Sequence, residues 1–569
     1  MKQIKLRVII IGAFFTVLFV IIGAKAMYLQ VFRCSWLSQK AADQYEVSLK
    51  SSGKRGTIFD RNLREMAVSI DVMSIAAHPQ QMEHPKSAAR SLSKALKIDR
   101  KVLVKKLNSK KKFVWIKRKV TPKEAEAVKK LDMNGLDFIP EHKRFYPNKT
   151  LAAQLIGFTN IDDRGLEGIE FNYDDDLSGE VLQYTVLRDA HGRGFEAENM
   201  TGLSPRGKNL VLTIDSTIQY IAEKTLAETV KKFSAKSGMA IVMVPKTGAI
   251  LAMAHVPLFN PNALKRIHRK YWRNRIITDP FEPGSTMKIF SAAAAIESGS
   301  SSPSSIFYCE NGAYKMGKHV VHDTHKHGWL SLQQIIKYSS NIGAIKFSAI
   351  TGPECLFRIF RNFGFGSKTG IDCPGETVGS LSPFKRWTTV DAGTIAFGQG
   401  VSVSALQLVV ATSSVANKGI LMKPYVVQAI TDHNGRLIES FGPRKIRRVI
   451  SEKTAGTVSR IMQTVITEGG TGVNAALEGY SVGGKTGTAQ KIDENGRYSY
   501  EKYVASFVGF APVENPQIAV LVVVDEPETQ HYGSIVAAPA FKAITQKTLD
   551  YMHIAPKRKT DKLMVSMRR

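Results

Sequence analysis

From Val8 to Ala24 every residue except Thr16 is apolar or small. A run of that length predicts one helix just long enough to span a bilayer. Lys2, Lys5 and Arg7 precede it, whereas Lys25, Arg33 and Lys40 follow at lower density. That asymmetry predicts a cytoplasmic N-terminus, with the remaining chain on the outer side. Ala24-Lys25-Ala26 also fits a small-x-small cleavage site, but the apolar run is long for a cleaved signal. The expectation is therefore a short tail over 1–7 and an uncleaved anchor over 8–26. Residues 27–207 form a separate, more polar region. Near Leu210 the pattern changes. Leu210–Ile214 reads as a strand, and Asp215 and Ser216 suit the cap of a helix over Ile218–Phe233. Ala240–Val244 and Ala249–Ala254 flank a Pro-Lys-Thr-Gly turn as a β-hairpin. Ile289–Ile296, Leu330–Tyr338 and Ile342–Ile350 read as helical segments, and Gly484–Gln490, Ala505–Ala511 and Gln517–Val524 as strands. Strands at both ends with helices between predict an α+β domain over 208–555, its sheet closed by both ends of the segment. Residues 556–569 are a basic tail, expected to be disordered.

Composition narrows the function classes. The chain has 569 residues, 43% hydrophobic and 22% charged, enough for two to four domains with a large core. Net charge is +30, which suits contact with anionic lipid or nucleic acid. The second is set aside, because neither zinc-finger spacing nor an aromatic RNA-binding signature is present. Lys101 to Lys119 holds nine basic residues and no acid, interrupted by Phe113-Val-Trp-Ile116. This reads as a short strand with solvated basic flanks, or as a surface facing an anionic membrane. Cys34, Cys309, Cys355 and Cys373 form no Cys-x-x-Cys pair, which argues against a thiolate zinc site or a redox motif. An exported chain permits disulfides, with the pairing open. His319, His322, His325 and His327 beside Asp323 do not match a zinc-protease spacing, and read as a solvated loop. No metal or cofactor is expected.

The candidate chemistry starts at Phe281-Glu-Pro-Gly-Ser-Thr-Met-Lys288. Pro283 and Gly284 break the chain and Ser285 opens a helical run. Three residues on a helix put the Ser285 hydroxyl and the Lys288 amine side by side. A serine needs a base to become a nucleophile, and a buried lysine of lowered pKa can be that base. Ser-x-x-Lys also begins at Ser51, Ser91, Ser109, Ser382 and Ser499, so the pattern alone says little. Ser339-Ser-Asn341 is the single Ser-x-Asn in the chain. It offers a hydroxyl for proton relay and an amide to grip a peptide. Lys485-Thr-Gly-Thr488 follows a glycine pair on a predicted strand, where Lys485 and Gly487 share one face and Thr486 and Thr488 the other. The small Gly487 would let another chain approach. Further copies of Lys-Thr-Gly at Lys246 and Lys368 read as turns.

The three motifs in this order resemble the penicilloyl-serine transferases, the superfamily of β-lactamases and penicillin-binding proteins. Arg55-Gly-Thr-Ile-Phe-Asp-Arg61 and Arg164-Gly-Leu-Glu-Gly-Ile-Glu170, with the anchor, are similar to the pedestal of class B penicillin-binding proteins. Their residues Arg55, Gly56, Asp60, Arg61, Arg164, Gly165, Glu167, Gly168 and Glu170 read as structural, their charges pairing between strands. Phe281-Glu-Pro-Gly-Ser-Thr and Val504-Ala-Ser-Phe-Val-Gly-Phe-Ala-Pro512 resemble the septal, penicillin-binding protein 3 type more than the elongation type. The resemblance implies a transpeptidase domain, an antiparallel sheet flanked by helices, on an elongated pedestal over 27–207 and one transmembrane helix in the bacterial inner membrane. It implies a serine D,D-transpeptidase that cross-links peptidoglycan stems at the septum through an acyl-enzyme on Ser285, inhibited covalently by β-lactams. Lys288 would be the base, Ser339 a proton relay, and Asn341 would orient the donor. Lys485, Thr486, Gly487 and Thr488 would bind the terminal carboxylate, and the backbone N–H groups of Ser285 and Thr488 would hold the oxyanion. Implied partners are peptidoglycan stem peptides, β-lactams, a membrane-embedded septal glycosyltransferase and other division proteins, with no nucleic acid. Competing readings are an elongation-type enzyme, a β-lactamase or carboxypeptidase on the same fold, and a non-catalytic division scaffold or β-lactam sensor.

Overall fold

The computed structural model describes residues 2–179, 181–187, 206–266, 268–493 and 495–556. The predicted disorder of the basic tail falls on residues outside these. Two compact units emerge, one built from residues 1–54 and 179–207, the other from 55–178 and 208 onward.

In the first unit the helix Lys2–Met27 runs into a π turn, Tyr28–Phe32. The continuous apolar stretch Lys2–Phe32 buries nothing within the protein and is long enough to cross a membrane. Exposed Ile9, Phe14, Phe19 and Ile21 cover a helix that is apolar on every side, the pattern of a lipid-facing span. The helix Cys34–Tyr45 follows, and the strand Glu46–Ser52 pairs antiparallel with Val181–Leu187.

The second unit is organised on a five-stranded antiparallel sheet. Its lateral order is Ile250–Val256, Ser237–Met243, Ile518–Asp525, Tyr498–Ala511 and Gly483–Ile492. The predicted hairpin and the last three predicted strands are all in it. Ile518–Asp525 lies in the middle and is buried on both faces, so its sequence reads as a continuous apolar run rather than an alternating one. The two-residue period still sorts its side chains. Val520, Val522 and Val524 enter one core with Ile218, Leu226, Val536 and Phe541 from the helices Ser216–Lys232 and Gly533–Tyr551. Ala519, Leu521 and Val523 enter the other with Ile289, Phe290, Leu406 and Val458 from the helices Lys288–Glu297, Ala405–Ala416 and Glu452–Thr464.

One expectation changes. The strand predicted at Leu210–Ile214 does not close this sheet. Asn209–Leu212 joins a seven-stranded sheet, parallel to Ile58–Phe59 and antiparallel to Val427–Thr431. Leu210 and Leu212 bury with Ile58 and Met66 of the preceding region and with Ile430 of their own segment, so the strand is shared between the two rather than used to close the five-stranded sheet. Residues on both sides of position 208 therefore share a sheet and a core.

The Arg55 and Glu170 motifs meet in a buried ionic network. Arg55 donates to Glu170 at 2.7 Å and to Asp174 at 2.5 Å, and Arg144 donates to the second Glu170 oxygen at 2.6 Å. Arg144 also donates to the Gly56 carbonyl at 2.6 Å. Asp60 accepts from the Ser216 hydroxyl at 2.7 Å, tying the 55–61 motif to the helix Ser216–Lys232. Gly165 and Gly168 sit where a Cβ would collide with the carbonyls of Glu170 and Leu155. Among the described residues, the expected charge pairing does not extend to Arg61, Arg164 or Glu167. Arg61 and Arg164 are exposed and act through main-chain N–H bonds to Ile214 and Asn160, while the Glu167 backbone pairs with Phe158. Their places in the network are taken by Arg144 and Asp174.

Candidate active site

Ser285 does not open an α-helix. Residues Gly284–Met287 form a 3-10 turn that passes into the helix Lys288–Glu297. In a 3-10 turn, side chains three apart eclipse one another, so the Ser285 and Lys288 side chains stack in line. Gly284 has φ +52°, and a Cβ there would come within 2.9 Å of the Thr488 carbonyl. The turn is thus pressed against the strand Gly483–Ile492. It is held from behind by Gly398, whose carbonyl accepts from Gly284 N–H at 3.2 Å.

Ser339 ends the helix Leu332–Tyr338 in the left-handed region, at φ 62°. Ser340 then caps the helix Asn341–Thr351. That reversal brings Ser339 and Asn341 to the same amine. Lys288 Nζ lies 2.6 Å from the Ser339 carbonyl, 2.7 Å from Asn341 Oδ1, 3.1 Å from Ser285 Oγ and 3.3 Å from Ser339 Oγ. Lys485 Nζ donates to Ser339 Oγ at 2.9 Å. Five predicted residues from three separated motifs therefore form one connected constellation. Ser285, Ser339, Asn341, Thr486 and Thr488 line an open cleft of about 910 Å³, while Lys288 and Lys485 are fully buried.

Burial sets the electrostatics. It lowers the Lys288 pKa to about 7, against a smaller opposing pull from the Asp323 charge. Burial also drives Lys485 well below its ordinary range, and the Lys288 charge adds to the effect. A neutral amine has two hydrogens and one lone pair. The Ser339 carbonyl and Asn341 Oδ1 can only accept, so they take the two hydrogens of neutral Lys288. The lone pair is left for the Ser285 hydroxyl to donate into.

Thr488 accepts from Gly533 N–H at 3.1 Å, which leaves its own hydroxyl hydrogen free for a ligand. Thr486 donates to Thr471 at 3.2 Å. Gly487 departs from expectation. The direction a Cβ would take is filled by Ser506 Oγ and by Thr286 Cγ2 at 2.9 Å. Its smallness therefore admits the turn that carries Ser285. The other two Lys-Thr-Gly copies are in loops, Lys246 bonded to Asn515 and Thr369 to Glu376.

Three contributors were not evident in the sequence. Glu282 accepts from Gly400 N–H at 2.9 Å and from the Tyr498 hydroxyl at 3.2 Å, bracing the nucleophile turn against two other segments. Thr471 backs Thr486. Asp323, singled out only for its neighbouring histidines, accepts from Asn341 N–H and the Ser340 hydroxyl, each at 2.5 Å. Its carboxylate is committed to that helix terminus. The His327 ring stacks on Tyr338 with centroids 5.1 Å apart. All four cysteines are free.

A serine, two buried amines and a second serine at these distances are the parts of a nucleophilic acyl-transfer site, and comparison with known proteins agrees with that class. Residues 238–546 match the penicillin-binding protein transpeptidase domain, and residues 50–212 match the penicillin-binding protein dimerisation domain. The chain belongs to the family of penicillin-binding protein transpeptidases. Among its relatives, the probable peptidoglycan D,D-transpeptidase PenA of Neisseria gonorrhoeae is 37% identical, covering 95% of this chain and 92% of that one. The peptidoglycan D,D-transpeptidase FtsI of Escherichia coli is 34% identical, covering 89% of this chain and 85% of that one. In structure, penicillin-binding protein 3 of Mycobacterium tuberculosis in complex with aztreonam superposes with a TM-score of 0.69 at 27% identity, covering 89% of this chain and 98% of that one.

Proposed function

We propose that this protein is a septal peptidoglycan D,D-transpeptidase. The observation that carries the reading is the Lys288 amine, buried beside Ser285 with its two hydrogens directed to Ser339 O and Asn341 Oδ1. Ser285 Oγ attacks the carbonyl of the penultimate D-Ala of a stem peptide as its proton passes to Lys288 Nζ. The C–N bond to the terminal D-Ala breaks, and that amine takes a proton through Ser339, which bridges Lys288 and Lys485. The acyl group stays on Ser285. An amine from a neighbouring stem then attacks the ester, forms the cross-linking amide and frees Ser285. The N–H groups of Ser285 and Thr488 hold the oxyanion in both steps.

Lys485 is held away from its charged form in the free site. A substrate carboxylate arriving beside it restores the charge, with Thr488 supplying a hydroxyl donor and Thr486 lining the cleft alongside. A β-lactam acylates Ser285 in the same way but retains its leaving amine, so the adduct persists. The apolar N-terminal helix serves as the membrane anchor. The N-terminus is cytoplasmic, the catalytic region faces the cell wall, and a membrane-embedded glycosyltransferase supplies the strands. The relationship to FtsI and the Glu282-bearing turn favour the septal role over elongation.

The test is labelling of the full chain in detergent with fluorescent penicillin. Wild type labels with one equivalent, and Ser285→Ala does not. Equal labelling of the two would sink the assignment. Depletion in cells distinguishes the roles, because loss of a septal enzyme gives filaments and loss of an elongation enzyme gives rounded cells.

A further inference from the structure

The strands Ile306–Tyr308 and Trp329–Ser331 form an antiparallel ribbon, with Phe307 opposite Leu330 and Tyr308 opposite Trp329. Successive side chains on a strand point to opposite faces. Phe307 and Leu330 are buried in the core, so Ile306, Tyr308 and Trp329 share the outer face. Ile306 is 64% exposed and Trp329 70% exposed. Single exposed apolar residues need no explanation, but these two line one open groove of about 340 Å³. The indole lies against the Tyr308 ring with centroids 5.1 Å apart. Asn311 Nδ2 donates to the Tyr308 hydroxyl at 2.9 Å, so the aromatic surface is braced from beneath.

The rest of the groove is polar and uncharged, lined by Ser304, Ser331, Gln333 and Gln334. Ser331 caps the helix Leu332–Tyr338. Its oxygen accepts from Gln334 N–H at 3.2 Å, and Gln334 Oε1 accepts from Ser331 N–H at 2.8 Å. That exchange fixes the Gln334 amide and leaves its Nε2 without a partner among the described residues. Gln333 N–H donates to the Pro303 carbonyl at 3.1 Å, which ties the turn bearing Ser304 to the start of the helix. None of the described residues lining the groove carries a charge, although the chain has a net charge of +30. An anionic headgroup or polymer therefore finds its counter-charges elsewhere. An exposed ring face with amides and hydroxyls beside it suits a sugar. The axial C–H groups of a sugar lie on the aromatic face, while its hydroxyl and N-acetyl groups bond to side-chain amides.

The groove also continues the catalytic cleft. His327 and Tyr338 line the cleft wall and stack on each other. Trp329 follows His327 by two positions, at most about 7 Å of chain. A stem peptide in the cleft remains attached to its glycan backbone, so sugar rings pass close to the cleft mouth whenever a stem is bound. We propose that the groove beside Trp329 is a glycan subsite, binding an N-acetylated amino sugar of the strand whose stem peptide enters the cleft. The sugar ring stacks on the Trp329 indole, and Gln333 and Gln334 bond to its polar edge. The inference rests on the transpeptidase reading and adds to it a hold on the polymer that a free stem peptide lacks.

The probe is peptide-free peptidoglycan glycan strands, which lack the stem that the cleft binds. Fluorescence anisotropy of end-labelled strands measures their affinity for the full chain in detergent, at low and at high salt. High salt screens attraction between the lactyl carboxylates of the strands and the basic chain, and it leaves a neutral stacking contact in place. Wild type is expected to keep its affinity at high salt. Trp329→Ala should weaken binding there by about fivefold or more, while Trp329→Phe, which keeps a ring, should stay within about threefold of wild type. Gln333→Ala should weaken it by about threefold. Thermal melting checks that each variant is folded. Wild-type binding that vanishes at high salt, or equal affinity of wild type and Trp329→Ala there, overturns the proposal. So does sedimentation in which wild type is a dimer and Trp329→Ala a monomer, because the groove then belongs to a second copy. Failure of wild type to label with penicillin at Ser285 is a separate result and overturns the transpeptidase reading itself.

Discussion

Lys288 Nζ and Ser285 Oγ lie 3.1 Å apart at a fully buried amine. Both groups are on one turn, so their separation depends on local geometry and little on the packing of distant elements. Because burial brings the Lys288 pKa to about 7, the amine is the deprotonated base above that pH and an ammonium below it. Acylation is expected to rise with pH through about 7, falling by about tenfold per unit on the acid side. Lys288→Ala should lower the acylation rate by about 10²–10⁴-fold. Stopped-flow kinetics with a chromogenic β-lactam reads both, and a rate independent of pH between 5 and 8 would exclude Lys288 as the base.

Gly487 carries a second prediction. A methyl group there meets Ser506 Oγ, Thr286 Cγ2 at 2.9 Å and the Pro283 carbonyl at 3.1 Å. Gly487→Ala must push the Ser285 turn off the strand, and overpacking of this kind costs about 1–3 kcal/mol. Acylation should fall by about tenfold or more, because the turn carries the nucleophile. Ser506→Gly removes one of the colliding atoms, so the double variant should recover part of the lost rate. A double-mutant cycle on acylation rates measures the coupling. Simple additivity would mean that Gly487 acts in some other way.

The motifs that define the site were legible because each is a short pattern whose chemistry is set by its neighbours along the chain. Ser285 with Lys288, Ser339 with Asn341, and Lys485 with Thr486 and Thr488 are of this kind. Their assembly depended on order alone, and the three fall together as that order implied. The partners of Leu210 were not legible. A strand's apolar period is the same whichever sheet receives it, and only the packed core decides that Leu210 lies with Ile58 and Ile430. Asp323 escaped for a similar reason. It precedes Asn341 by 18 residues, beyond the range of any helical or turn pattern, and nearby histidines gave it a different apparent context. Arg61 and Arg164 show the converse: charge in a motif was read as pairing, whereas among the described residues the bonds at these positions are made by the main chain.

Glu282 offers a third test. Its Oε1 accepts from Gly400 N–H and from the Tyr498 hydroxyl, and the Gly398 carbonyl two residues earlier holds Gly284. The loop therefore supports the nucleophile turn at two points. Burial raises the Glu282 pKa, so the environment does not demand a charge there. Glu282→Gln, which keeps the accepting oxygen, should retain acylation within about threefold. Glu282→Ala leaves Gly400 N–H and the Tyr498 hydroxyl without that acceptor and should slow acylation by about tenfold, in line with about 1 kcal/mol per lost hydrogen bond. Tyr498→Phe should fall between the two. If Glu282→Gln is as slow as Glu282→Ala, the charge matters and bracing is not the explanation.

The pedestal network makes a prediction about stability. Glu170 is fully buried between Arg55 and Arg144, accepting from them at 2.7 Å and 2.6 Å. Removing one partner of a buried ionic cluster leaves uncompensated charge, and such losses cost about 3–5 kcal/mol. Glu170→Gln removes the negative charge and offers one guanidinium an N–H group in place of an acceptor. It should lower the thermal midpoint by several degrees. Arg144 also holds the Gly56 carbonyl, and Asp60 in the same motif holds Ser216, so the loss is transmitted to the helix Ser216–Lys232. None of these groups touches the cleft. The folded fraction of Glu170→Gln should therefore acylate at the wild-type rate at a temperature well below its midpoint. Calorimetry and penicillin labelling on one preparation separate the two effects. A normal midpoint would show that the two guanidinium groups are adequately served by Asp174 and the surrounding carbonyls without Glu170.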